Sequence, residues 1–326
     1  MSKKEEKYSK VKTEGVFNLN QTAKEFNLTT AELVAFHNQY CAIHELLPLS
    51  LPKYVEYIYL PTKNFLERDI KLLKSTKLTL PEELSDKTYG VMINFLPKDL
   101  KIHYKIKVKR TAHFLEIFKE KTYINNEEIN QTIEQLFEKA EQVLYPLQII
   151  TDEKGRLFQI INSEEIKKRW EKDCKPKLED YYKSETAENI ISKLDQSFED
   201  VNEKKELLER NLFYKLFFQP LYTSYPDFFK QKRLQIYFSS ISNEISYGAD
   251  CTLEREFTRG DKIALRISGK EEGNIFNENI EKGEIELLYK FHKKSKEIFS
   301  ITGFASAVED GVPHKIVFQL YEMQNS

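Results

Sequence analysis

Apolar and polar positions alternate most cleanly over residues 100–110, where Ile102, Tyr104, Ile106 and Val108 interleave with His103, Lys105, Lys107 and Lys109. A period of two puts the first set on the buried face of a β-strand and the second on its wet face. The run TYGVMINFL just before it is also extended, and HFLEIFKEKTYIN continues the pattern. The period then changes. Ile129, Ile133, Leu136, Phe137, Ala140 and Leu144 recur at helical spacing, and Pro146 ends that helix at Tyr145. LQIITDEKGRLFQIIN predicts a hairpin turning at Lys154–Gly155. Residues 163–225 are helical in pattern. NSEEIKKRW offers an N-cap followed by acidic residues, and a longer amphipathic stretch begins at Thr186 and is closed by Pro220 and Pro226. Six apolar runs separated by turn-like connections (TRGD, HKKSK and EDGVP among them) fill the rest, which predicts an antiparallel meander. Helices segregated from antiparallel strands give an α+β class, with a curved sheet laid over the helices and room for a cavity between them.

The first residues carry a smaller pattern of their own. A short strand, YSKVKTEGVF, leads into two helices, the first marked by Leu19, Ala23 and Phe26 and the second by Leu33, Val34 and Phe36 after the capping hydroxyls of Thr29–Thr30. The segment closes on the strand YVEYIYLP. Three regions are therefore expected: a small βααβ domain over 1–61, a charged connector over 62–86, and an α+β domain over 87–326. In the small domain, Val11, Thr22–Ala23, Phe26, Thr30–Ala31–Glu32–Leu33, Asn38 and Ile58–Tyr59–Leu60–Pro61 stand in the order of a LysM domain, which the segment resembles. It departs from that family where Gly15 is followed by Val16–Phe17 instead of Asp-Thr, and where the loop after Asn38 lengthens to QYCAIHELLPLSLPK. The resemblance implies a binding module whose groove lies between two loops. Here these would present Gly15, Val16, Phe17 and Asn18 on one side and Tyr40, Ile43, Leu46 and Leu47 on the other.

Composition narrows the partner. The 326 residues include 50 basic and 52 acidic side chains, so no net field favours nucleic acid. No stretch approaches the ~20 apolar residues of a membrane span. Three widely spaced cysteines (Cys41, Cys174 and Cys251) suit a reducing compartment, and MSKKEEKYSK has no apolar signal core, so a cytoplasmic location is expected. Peptidoglycan and chitin lie elsewhere. Together with the apolar residues in both loops, this turns the expected ligand of the LysM-like domain from a glycan to a protein.

Candidate chemistry is thin. His37, Cys41 and His44 supply three metal-ligand types around one helix end, but no fourth ligand or CxxC accompanies them, and they read as packing. His103, His113, His292 and His314 lie in or beside strands without a nucleophile motif. No GxSxG, P-loop, GxGxxG or HExxH occurs. Trp170 sits in a mixed-charge helix and reads as docked on the core, and the lysine face of residues 103–110 reads as the wet side of a strand. The aromatic segment after Pro220 holds Tyr222, Tyr225, Phe228 and Phe229 as a possible interface. No catalytic residue, cofactor or metal is expected. The functional expectation is a non-enzymatic binding or scaffold protein, an adaptor or baseplate component of a contractile injection system of phage-tail-like or type VI-like kind. The alternatives are a peptidoglycan- or chitin-binding protein and a carrier of an apolar ligand inside the larger domain.

Overall fold

The structure is a computed structural model that describes residues 8–13, 17–26, 28–48, 55–61, 76–255, 258, 262–272 and 282–323. The chain divides into two compact units between Ser75 and Thr76. In the first, β1 (Tyr8–Lys12) is followed by α1 (Leu19–Glu25), α2 (Thr30–Tyr40), a 3-10 turn (Ile43–Glu45) and β2 (Tyr57–Pro61). The two strands pair antiparallel, Tyr8 opposite Pro61 and Lys12 opposite Tyr57. Both helices start on side-chain caps. The Asn18 side-chain oxygen accepts from the Asn20 and Gln21 amides, and Thr29 and Glu32 form a reciprocal capping box. Leu19, Ala23, Leu33, Val34, Ile58 and Leu60 meet in the core of this unit. Phe36, expected beside Leu33 and Val34, instead stays half-exposed.

The second unit is mixed α and β around one antiparallel sheet. Its strands are β3 (Ser85–Leu96), β4 (Leu100–Arg110), β5 (Leu115–Lys119), β6 (Tyr123–Ile124), β7 (Glu127–Glu128), β8 (Leu147–Thr151) and β9 (Leu157–Ile160). After the helices come β10 (Phe229–Phe238), β11 (Asn243–Leu253), β12 (Lys262–Glu271), β13 (Glu284–His292), β14 (Ile298–Glu309) and β15 (Val312–Glu322). The order across the sheet is β10-β11-β12-β13-β14-β15-β3-β4-β5-β8-β9, with β6 also on β4 and β7 on β6. The C-terminal meander thus returns its last strand to the first, Lys315–Glu322 lying against Tyr89–Leu96. Gly303, at φ +152°, lets β14 and β13 meet: a Cβ there would lie 2.0 Å from the Glu286 carbonyl oxygen.

Between β9 and β10 the chain is helical: α4 (Ser163–Arg169), a wider π turn (Trp170–Cys174), α5 (Lys175–Tyr181), α6 (Glu185–Phe198), α7 (Lys205–Glu209) and α8 (Leu212–Phe217). An earlier helix, α3 (Thr132–Gln142), joins β7 to β8. Trp170, Ile191, Phe198, Phe213 and Leu216 share one apolar core with Tyr104, Ile106, Tyr289 and Phe291 of the strands. Residues 76–86 belong to this unit rather than to a connector. The Leu78 amide donates to Thr223 O, the Tyr225 amide donates to Thr76 O, and Leu78 is 1% exposed. Among the described residues no helix is long and apolar enough to cross a membrane.

Candidate functional site

Directly opposed residues of an antiparallel pair share a face. The register of β1 and β2 therefore puts Tyr8 and Lys10 with Tyr59, and Lys12 with Tyr57, on the side away from the buried Ile58 and Leu60. The end of α2 adds Phe36 and Tyr40 to this face. The Tyr8 ring lies 5.0 Å from Tyr40 and 5.1 Å from Tyr59, and Phe36 lies 4.9 Å from Tyr40. Lys10 Nζ sits 4.1 Å above the Tyr57 ring and 5.5 Å from that of Tyr59. These are ordinary separations for aromatic and cation–π contact. Tyr8 remains 38% exposed, so the cluster is a surface and not a second core.

His37 fixes this face from beneath. It is fully buried; the Tyr59 amide donates to its Nδ1 at 3.2 Å, and its Nε2 lies 2.8 Å from Glu45 O. Since Nδ1 accepts, the proton resides on Nε2, which donates to that carbonyl. Both ring nitrogens are occupied, so His37 cannot join Cys41 and the exposed His44 in holding a metal.

The residues expected to form a groove are dispersed. Gly15 and Val16 lie outside the described residues, as does the side chain of Ile43. Phe17 leans on the core and Leu47 is buried in it, whereas Leu46 is 44% exposed. The Asn18 side-chain oxygen is taken up as the α1 cap. Asn38 is consumed by Leu47, whose amide it accepts at 2.7 Å and whose carbonyl it bonds at 2.9 Å. Of the expected set, among the described residues, Tyr40 alone enters the aromatic face. Its neighbours Tyr8, Lys10, Phe36, Tyr57 and Tyr59 were missed, although YIYLP alternates and so places Tyr57 and Tyr59 on one side.

No family model and no curated protein matches the chain. Its function rests on the geometry of its own residues.

In the larger unit the expected interface mostly turns inward. Tyr225 is buried with its hydroxyl on Leu221 O, and Tyr222 stacks edge-on against Phe291 with its hydroxyl on Lys296 O. Phe228 carries the Arg255 guanidinium at 4.7 Å, while Phe229 is exposed at 42%. The void bordered by Tyr89, Phe217, Phe218 and Tyr222, between sheet and helices, is about 30 Å³. That is room for a water or two, not for an acyl chain.

Titratable groups here are tied to one another. Burial alone would raise the Glu322 carboxyl, but hydrogen bonds from Lys87 and His292 outweigh it and hold the group below its ordinary value. Lys232 bonds Gln219 Oε1 at 3.0 Å, and burial pushes its ammonium down to about 8. Above that pH the folded chain has released this proton, while the unfolded chain keeps it up to the ordinary value of 10.5. Lys232 therefore costs the fold stability below pH 8, and that cost fades as pH rises through the window to 10.5. Lys232→Met is expected to stabilise the unit by about 2 kcal/mol at pH 7, with the gap to the parent shrinking toward pH 10. Urea unfolding of both proteins across that range measures the gap; tyrosine ionisation cancels in the difference. A gap independent of pH would rule out this assignment of Lys232.

Proposed function

We propose that the chain is a non-enzymatic binding or scaffold protein whose first unit is a LysM-like docking module. The observation that carries this reading is the half-exposed platform of Tyr8, Phe36, Tyr40, Tyr57 and Tyr59 around Lys10. Clustered aromatic rings supply large contact area at low conformational cost, as at the centres of protein interfaces. The occupant is a protein rather than a glycan. The Asn18 side-chain oxygen is spent on the Asn20 and Gln21 amides, and both amide atoms of Asn38, in the last turn of α2, are spent on Leu47. This leaves few polar atoms beside the loops to read sugar hydroxyls, and Leu46 there is exposed and apolar. An adaptor or baseplate role in a contractile injection machine fits such a module, and genes for sheath, tube or spike components beside this one would support it.

The full chain carrying a photo-crosslinking residue at Lys12 is expected to capture a discrete protein partner. Tyr8→Ala with Tyr40→Ala should reduce that capture at least about tenfold, since two central aromatic contacts are worth roughly 1–2 kcal/mol each. The same chain should pass unretained over insoluble peptidoglycan and chitin. Saturable retention there, lost in the double variant, would replace the protein ligand with a glycan.

A further inference from the structure

A second site lies on the larger unit, independent of the LysM-like reading. On the outer side of β15, β3, β4 and β6 is a cleft of about 580 Å³, within the range of small-molecule pockets. The pairing register lays out its floor. Gln319, Met92, His103 and Tyr123 form one row across the four strands, and Tyr321, Gly90 and Lys105 form the next. His103 and Tyr123 are stacked, their centroids 5.1 Å apart and their planes within 7°. Met92, Tyr321 and Met323 are exposed at 44%, 45% and 39%, an unusual concentration of apolar side chains on a solvent-facing sheet surface.

Gly90 gives the cleft its shape. Glycines 269, 283 and 303 are required by close backbone approach, since a Cβ on each would fall 2.0–2.3 Å from a neighbouring carbonyl oxygen. Gly90 has no such constraint. A Cβ there would meet only the Met323 side chain, at 3.6 Å, and its φ lies outside the range that favours glycine. The missing side chain leaves a notch between Tyr321 and Lys105, two strand spacings or about 9–10 Å apart, overhung by the flexible Met323 side chain, against whose thioether a flat group can lie. Thioether sulfurs at Met92 and Met323 favour an aromatic ring. The charges at the rim are already matched, Lys105 with Glu120 at 4.0 Å and Lys121 with Glu128 at 2.7 Å, so the cleft carries no net field for an ion. Among the described residues, the side chains of His103, Asn126 and Gln319 have no hydrogen-bond partner within the chain and are free to meet a polar ring edge.

We infer that this cleft binds a small, uncharged, planar aromatic molecule of one or two fused rings that bears a hydrogen-bonding edge. The chain has three methionines, two of them in the cleft, which makes the test direct. The full chain labelled with ¹³C at the methionine methyls is titrated with indole, and with cyclohexylmethanol as a saturated control. Indole is expected to move the Met92 and Met323 methyls upfield in a saturable way by its ring current, leaving Met1 in place, and to bind at least fivefold more tightly than the control. Gly90→Val, which fills the notch, and Tyr321→Ala, which removes one wall, should each weaken indole at least tenfold. Absence of a shift at millimolar indole would overturn the site. So would equal binding of the saturated control, or indifference of both variants. Shifts of the two methyls with protein concentration alone would assign the surface to a second copy of the chain instead.

Discussion

Trp170→Ala is expected to lower the stability of the larger unit by about 4 kcal/mol, the usual range for deleting a large buried aromatic side chain. The indole is 1% exposed, stacks on Phe198 at 4.6 Å, and donates its N–H to Asp195 Oδ1 at 2.8 Å. The other Asp195 oxygen takes Lys175 Nζ at 2.8 Å, and the two bonds hold that carboxyl below its ordinary value. One side chain thus joins the π turn to α6 by both packing and charge. Trp170→Phe separates the two contributions. It keeps most of the stack and loses the N–H donor, and should cost about 1–2 kcal/mol, because Asp195 retains Lys175 and lies near water. Trp170 is the chain's sole tryptophan, so the variants are followed by circular dichroism during urea unfolding. Equal losses in Phe and Ala would mean that the hydrogen bond, not the buried volume, anchors this turn.

What the sequence revealed follows the range of the forces involved. Strict alternation in β4 and helical spacing in α3 are local, and strand, helix and the hairpin whose turn Gly155 takes at φ +87° all form. Yet α3 is shorter than its pattern, leaving Ile129 and Leu144 outside it and Ile133 and Phe137 exposed at 45% and 49%. The return of β15 onto β3 was hidden, because it joins strands more than 200 residues apart and no local periodicity encodes a partner. The start of the larger unit was misplaced for the same reason: Thr76 and Leu78 are held by residues 223–225, which their own neighbours cannot reveal. The aromatic face of the first unit was half legible. Tyr57 and Tyr59 alternate visibly, but that Tyr8 meets both Tyr59 and Tyr40 depends on strand register and on the angle at which α2 ends. In the sequence His103 is one residue of a polar strand face. Its stack with Tyr123 depends on β6 joining β4 beyond the end of β5.

His37→Leu is expected to unfold the first unit while leaving the second intact. The substitution is close in size and more apolar, so hydrophobicity alone predicts a neutral or stabilising change. Hydrogen bonding predicts the opposite. The imidazole is fully buried and is the partner of two backbone groups, the Tyr59 amide of β2 and the Glu45 carbonyl of the 3-10 turn. Leucine satisfies neither, and each orphaned buried group costs about 1–3 kcal/mol. A unit of this length has only about 3–8 kcal/mol of stability in total, so losing both bonds removes most of it. His37→Gln distinguishes bonding from shape. An amide oxygen can accept from Tyr59 and an amide N–H can donate to Glu45, so this variant should recover at least half of the loss. Amide NMR signals of residues 8–61 report the outcome; they should collapse toward unfolded positions in the leucine variant and persist in the glutamine variant. Dispersed signals in His37→Leu would show that the helix and strand are held by apolar packing alone. Collapse together with loss of the crosslinked partner would tie the aromatic platform to this one buried ring, because Tyr59 is positioned through the amide that His37 accepts.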